Sequence, residues 1–326
     1  MKKIVVMGGG TGTYTVLKGL KKYPVQLSAI VAMTDDGGSS GILRDELGVL
    51  PPGDIRQCFV ALSQSSEVMR ELFNYRFSKG SLKGHNLGNL LISALEKMEG
   101  GLDKALIKLH KILALEGEVI PVTLNKAKLL AELTNGKILF GEHEITGCKL
   151  LKKYPLRRIF LQPKATINPR ALSVIKAADL VIIGPGNLYS SLVPLFLVGG
   201  AASALKQTKA KILYNVNLMT KRGQTDSFSV FDFVQIIENY LGKNVIDYAL
   251  FNIARPEIGL LKKYAQEGEL VRIPQKKNFK KGAKIFMGKH LLSKEIYEQK
   301  KGDLLKRTLI RHDSNKLAKE IMKIIA

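Results

Sequence analysis

The first 33 residues constrain this chain more than any other stretch. Residues 3–7 form a short, β-branched run that ends in Gly8-Gly9-Gly10-Thr11-Gly12. Residues 13–23 then place Val16, Leu17 and Leu20 on one helical face, and residues 25–33 return to an apolar run. A strand, a glycine loop, a helix and a second strand in that order predict a βαβ unit and a parallel sheet. Amides at the start of such a helix attract phosphate, and glycine lets the backbone come close to it. The loop matches neither common phosphate motif: Thr13 stands where the third glycine of a dinucleotide fingerprint belongs, and no P-loop lysine follows. A tight turn is the plain alternative, but five nearly consecutive small residues exceed what a turn needs. Gly9, Gly10, Thr11 and Gly12 are therefore candidate ligand contacts.

The pattern continues with helical spacing over residues 55–63, 67–77, 87–98 and 102–115. From 118 to 161 it changes to short runs separated by turn signals, among them Asn135-Gly136, a strong hairpin cue. An antiparallel β insertion is expected at about 117–162. Strands return at 180–183, 211–216 and 248–253, with a helix over 231–241 and an amphipathic terminal helix over 316–325. The expected fold is α/β, a doubly wound and mostly parallel Rossmann-like sheet with that small insertion. Residues 1–255 make the main domain; residues 256–326, Lys-rich and poorly periodic between 262 and 294, pack on it.

Four further loops share the character of the first. Asp35-Asp36-Gly37-Gly38-Ser39-Ser40-Gly41 follows the second strand. Its carboxylates can hold a divalent metal or polarise a hydroxyl while the loop amides, with Ser39 and Ser40, cradle an anion; a solvated loop is the alternative. Arg44, at the start of a helical stretch, is a candidate phosphate clamp. Pro51-Pro52-Gly53-Asp54-Ile55-Arg56 stiffens a helix start, where Asp54 either caps the helix or joins a site. Gly84-His85-Asn86-Leu87-Gly88-Asn89 offers the amides of Asn86 and Asn89, and Asn86 also suits an N-cap; His85 is a weaker candidate. Gly184-Pro185-Gly186-Asn187 follows a buried strand, where open α/β sheets bind ligands. No Cys–His pair, nucleophile elbow or histidine cluster accompanies these loops.

Composition narrows the setting. Two cysteines, Cys58 and Cys148, are too few for a disulfide framework and suit a reduced, cytoplasmic compartment. Residues 180–205 lack charge, but glycines, Pro185 and Asn187 interrupt them, so no membrane span is expected. The net charge of +23 comes mainly from lysine, and no basic stripe is interleaved with aromatics, so no specific nucleic-acid partner is expected.

Taken together, Gly8–Gly12, Asp35–Gly41, Pro51–Arg56, Gly84–Asn89 and Gly184–Tyr189 resemble the bacterial gluconeogenesis-factor family, related to the phospholactate transferase of coenzyme F420 synthesis. The resemblance runs from Lys3 to about Ile253 and resumes at Arg311-His312-Asp313. It implies a cytosolic regulatory protein for cell shape and wall morphogenesis on gluconeogenic carbon, binding UDP-glucose or UDP-N-acetylglucosamine. It implies nucleotide contacts from Gly10, Thr11 and Gly12, completed by Gly186, Asn187 and Arg311. No cofactor is required, no catalytic residue is assigned, and the partners implied are wall-synthesis or regulatory proteins and a second copy of the chain. The transferase relatives imply the alternative: an enzyme with a nucleotide-diphosphate donor and Mg2+, using Asp35, Asp36 and Asp54 as metal or acceptor-side acids. The sequence departs from the usual pattern at Arg222-Gly223, Thr13-Tyr14 and Ile42, all at loop edges.

Overall fold

The structure, a computed structural model, describes residues 1–294 and 310–325. The sheet strands are β1 (Lys2–Gly8), β2 (Val25–Val31), β3 (Glu118–Pro121), β4 (Lys128–Leu133), β5 (Ile138–Phe140), β6 (Leu156–Gln162), β7 (Leu180–Ile183), β8 (Lys211–Asn215), β9 (Tyr248–Asn252), β10 (Asn278–Lys281) and β11 (Lys284–Lys289). Eight of them form one sheet in the order β10-β11-β9-β8-β7-β1-β2-β3. All neighbours in it are parallel except the β10–β11 hairpin. The expected α/β class and mostly parallel sheet are present, and β4, β5 and β6 form the small antiparallel sheet.

Central strands read as continuous apolar runs because helices cover both faces. Val5, Val6, Met7 and all four residues of β7 are buried, and removing each such side chain from water stabilises the fold by about 1.5–3 kcal/mol. Helix α1 (Gly10–Leu20) packs on α3 (Gly53–Leu62) and on the helix Ser314–Ile325. Val16, Leu17 and Leu20 are its fully buried face, as their spacing requires.

Two expectations need correction. Residues 118–121 do not open the antiparallel insertion. They form β3, which pairs in parallel with β2 and buries Val119 and Ile120 beside Ala29 and Ile30. The antiparallel sheet starts at Lys128. Its Asn135-Gly136 turn is the expected hairpin, with Asn135 Oδ1 accepting from the Lys137 amide at 3.1 Å. The Lys-rich stretch between 262 and 294 is also more regular than its sequence suggests, because β11 extends the main sheet beside β9. Residues 295–309 and 326 of the expected C-terminal segment lie outside the described residues.

Residues 180–205 form β7, a loop, a π-helical turn at Leu188–Leu192 and the short helices Val193–Leu197 and Ala201–Gln207. Among the described residues no helix is long and apolar enough to cross a membrane.

Candidate functional site

The chain starts at β1 and winds outward through β2 to β3. It later returns to the other side of β1 and winds outward through β7, β8 and β9. The switch point therefore lies between β1 and β7, and in open α/β sheets ligands bind in the crevice outside the strand carboxyl ends at that point. The glycine loops after β1 and after β7 are the two walls of this crevice. They touch: a Cβ on Gly12 would lie 2.7 Å from the Pro185 carbonyl carbon and would overlap its oxygen.

The β7 loop is held by Asn217, beyond β8. Its side-chain Nδ2 donates to the Gly186 carbonyl at 2.7 Å, and its Oδ1 accepts from the Gly186 amide at 3.4 Å. Asn187, one residue on, is half-buried, and its side-chain amide makes no hydrogen bond among the described residues. In the β1 loop Thr11 is exposed, and its hydroxyl donates to Gln57 Oε1 of α3 at 3.2 Å.

Asp54 does not cap its helix. Pro52 holds the N-cap position of α3, and the Asp54 carboxylate accepts instead from the Gly10 amide. A Cβ on Gly10 would come within 2.3 Å of Gln57 Nε2 and 2.6 Å of Asp54 Oδ1, so a larger residue would have to displace both side chains. Asp35 turns toward the same place, accepting from the Gly37 amide at 3.0 Å and from the Ser40 hydroxyl. A third acid arrives from the insertion. Glu142, on the helix Gly141–Gly147, accepts from Ser190 Oγ at 2.8 Å and from Ser191 Oγ at 3.0 Å. Burial raises the affinity of all three for a proton. The charge of Asp35 adds to the effect at Asp54 and at Glu142, and Asp54 is pushed up to about 8.

Arg56 is the buried cation of this floor. It donates from Nε to Asn89 Oδ1 at 2.9 Å, and from Nη1 to Asn74 Oδ1 at 2.9 Å and to the Phe73 carbonyl at 3.2 Å. Its charge opposes the proton uptake of Asp35 and Asp54. Asn86 caps α5 (Leu87–Glu99), accepting from the Asn89 amide at 3.2 Å. Ser39 accepts from the Asn86 amide at 3.3 Å and lies 3.4 Å from His85 Nδ1. Asn89 Nδ2 donates to Ser40 Oγ at 3.5 Å. Ser39, Ser40, Asn86 and Asn89 thus form a buried lattice under the acids.

Three further sequence candidates make contacts of their own. The Asp36 carboxylate accepts from the His143 amide at 2.8 Å, so it ties the insertion to the β2 loop. Arg44 falls in the last turn of the helix Gly38–Leu47, not at its start, and pairs with its neighbour Asp45 at 2.9 Å. Arg311 is tied through its carbonyl to the Ser293 amide. Ile310, just before it, packs with Leu218 and Met219 beyond the carboxyl end of β8. Ser190 and Ser191, in the loop after β7, and Asn217, in the Asn215–Thr220 loop after β8, also belong to the crevice, and so do Gln57 and Glu142, which no motif had marked. Among the described residues, no group of three or more His, Cys, Asp or Glu side chains is placed to hold a metal ion.

Residues 4–291 match the model of the CofD family, described as 2-phospho-L-lactate transferase CofD. The chain belongs to the CofD family. Among its relatives is a gluconeogenesis factor of Halalkalibacterium halodurans, 41% identical over 82% of each chain. Another is the gluconeogenesis factor of Listeria innocua, 42% identical over 77% of each. The crystal structure of a UPF0052-family protein from Bacillus halodurans superposes with a TM-score of 0.88 at 34% identity, covering 99% of this chain and all of that one.

Proposed function

We propose that this protein is a cytoplasmic regulatory protein that binds a UDP-sugar, UDP-glucose or UDP-N-acetylglucosamine, across the switch point. By this reading it serves cell shape and wall synthesis during growth on gluconeogenic carbon, through protein partners. The observation that carries the binding is the Asn187 amide. It is unspent within the described protein and stands on a loop that is pinned by Asn217 and whose Pro185 carbonyl abuts Gly12 of α1. Helix starts and glycine loops are anion sites, and a free carboxamide adds a donor for a phosphate or sugar oxygen. The names of the Halalkalibacterium and Listeria relatives support the regulatory setting.

A second reading is favoured by the Asp35–Asp54 pair and by the family description as a transferase. Mg2+ is commonly held by one or two carboxylates together with substrate phosphates, so two acids beside a phosphate cradle fit it even without a third protein ligand. Asp35 and Asp54 would hold the ion, which would supply charge neutralisation at the phosphates. The residues would orient the donor and shield it from water.

Calorimetric titration with UDP-N-acetylglucosamine separates the two readings, run with and without Mg2+, against GDP and NAD, on wild type and Asn187→Ala. UDP-sugar binding that is lost in the variant, with no signal for GDP or NAD, is the expected result. Mg2+-dependent GDP binding without a UDP-sugar signal would overturn it in favour of the transferase.

A further inference from the structure

The two faces of the antiparallel insertion sheet differ. Leu129, Ala131 and Leu133 of β4, Leu139 of β5 and Ile159 of β6 point inward and join the main core. Strand side chains alternate, so the residues between them lie on the outer face. There the register aligns one cross-strand row as Phe140–Leu130–Phe160 and the next as Ile138–Glu132–Arg158. Leu130, Ile138, Phe140 and Phe160 stand outside the core cluster. Leu130 is buried between its two phenylalanine neighbours, but Phe140 is 60% exposed and Ile138 39%. A sheet normally covers such a row with a second layer, and adjoining apolar side chains left open within a polar rim mark an interaction surface.

The rim is basic. Residues 126–164 carry nine lysines and arginines against three glutamates. All three carboxylates are engaged. Glu132 pairs with Arg157 at 2.9 Å and Arg158 at 2.6 Å, Glu142 accepts from Ser190 and Ser191, and Glu144 accepts from the Phe140 amide at 2.8 Å. The ammonium groups of Lys128 and Lys137 make no hydrogen bond among the described residues. Lys128 acts on Asp45 through its charge, but Asp45 already pairs with Arg44. The Arg158 guanidinium also lies over the Phe160 ring, 4.9 Å from its centroid.

An apolar row ringed by surplus positive charge complements an acidic segment that carries apolar side chains. Aromatic residues and arginine are also the types enriched where proteins meet. Among the described residues β5 is the edge of its sheet, so an extended chain can add main-chain hydrogen bonds there, which favours a peptide over a lipid surface.

We propose that the outer face of β4, β5 and β6 docks an acidic segment of a partner protein, with Phe140 as the apolar anchor and Lys128 and Lys137 as the charge complement. The insertion reaches the crevice through Glu142 and the His143 amide, neither of which belongs to these strands. The docking surface is therefore independent of which ligand the crevice takes.

The test selects a random displayed peptide library against the full chain. Enriched peptides are then titrated by fluorescence anisotropy on wild type, Phe140→Ser, Lys128→Glu/Lys137→Glu and, as a control on a distant exposed side chain, Met98→Ser, with thermal melts confirming that each is folded. The expected peptides are acidic with aromatic or branched apolar residues, and they bind more weakly as salt is raised. They lose ~10-fold or more in affinity for Phe140→Ser and ~5-fold or more for the lysine variant, and bind Met98→Ser as they bind wild type. Peptides without an acidic bias, peptides that Phe140→Ser binds equally well, or no enrichment at all would overturn the proposal. Self-association in sedimentation that Phe140→Ser abolishes would give the face to a second copy of the chain. Binding to phosphatidylglycerol vesicles that the same variant abolishes would give it to a membrane. Either result would overturn the proposal as well.

Discussion

The Gly10 amide donates to the Asp54 carboxylate, so the first turn of α1 and the first turn of α3 share a hydrogen bond beneath the phosphate cradle. Burial, and then the charge of Asp35 beside it, makes this acid hold its proton. The folded chain keeps that proton up to about pH 8, whereas an unfolded aspartate releases it near pH 4. Between those values the native state binds more protons, so the stability from this group falls as pH rises. Asp54→Asn removes the titration. Its melting temperature relative to wild type is expected to climb between about pH 5 and about pH 8, and a difference that stays flat across that window would show Asp54 ionised throughout.

Asn187 and Asn217 sit on the same wall but do different work. Asn187 makes no hydrogen bond within the described protein, so Asn187→Ala is expected to leave the melting temperature unchanged and to weaken UDP-sugar binding ~10-fold or more. Asn217 holds both polar groups of the Gly186 peptide, and Asn217→Ala is expected to cost about 1–2 kcal/mol of stability as well as affinity. Melting curves and titrations on the two variants would show the split; equal melting temperatures would contradict it.

Gly12 faces the Pro185 carbonyl with no room for a methyl group. Gly12→Ala must push the two walls of the crevice apart, at about 1–3 kcal/mol. The expected outcome is a lower melting temperature together with lost ligand binding. An alanine variant that binds as wild type does would mean that the two loops move independently.

Arg56 donates to three acceptors on two other segments, and a lysine cannot reproduce that fork. Arg56→Lys is expected to lose about 2–3 kcal/mol in denaturant unfolding. It should also raise the proton affinity of Asp35 and Asp54 if the ammonium stands farther from them, which a shift of the pH–stability profile to higher pH would reveal.

Much of this could be read in the sequence where local chemistry is decisive. The order of strand, glycine loop and helix around Gly8–Gly12 fixed the βαβ start, and Asn135-Gly136 announced its hairpin. Asn86 was legible as a cap because capping is a local device. The failures share a cause. Val119 and Ile120 look the same whether they join an antiparallel insertion or the edge of the main sheet, since only the partner strand differs. The bond of Asp36 to the His143 amide joins positions 107 residues apart and could not be read from its own loop. Glu142 was invisible because its meeting with Ser190 and Ser191 joins segments 48 and 49 residues apart.

Among the described residues β10 is the border strand of the large sheet, and its Lys280 and Lys281 are exposed. An unpaired strand is a template on which another chain can polymerise, and lysines on a short border strand oppose that growth through repulsion and hydration. Part of the chain's surplus of positive charge therefore keeps copies from zipping together edge to edge, a task separate from any ligand. High ionic strength, which shortens the reach of that repulsion, is the condition under which the protein should become prone to stacking into larger assemblies.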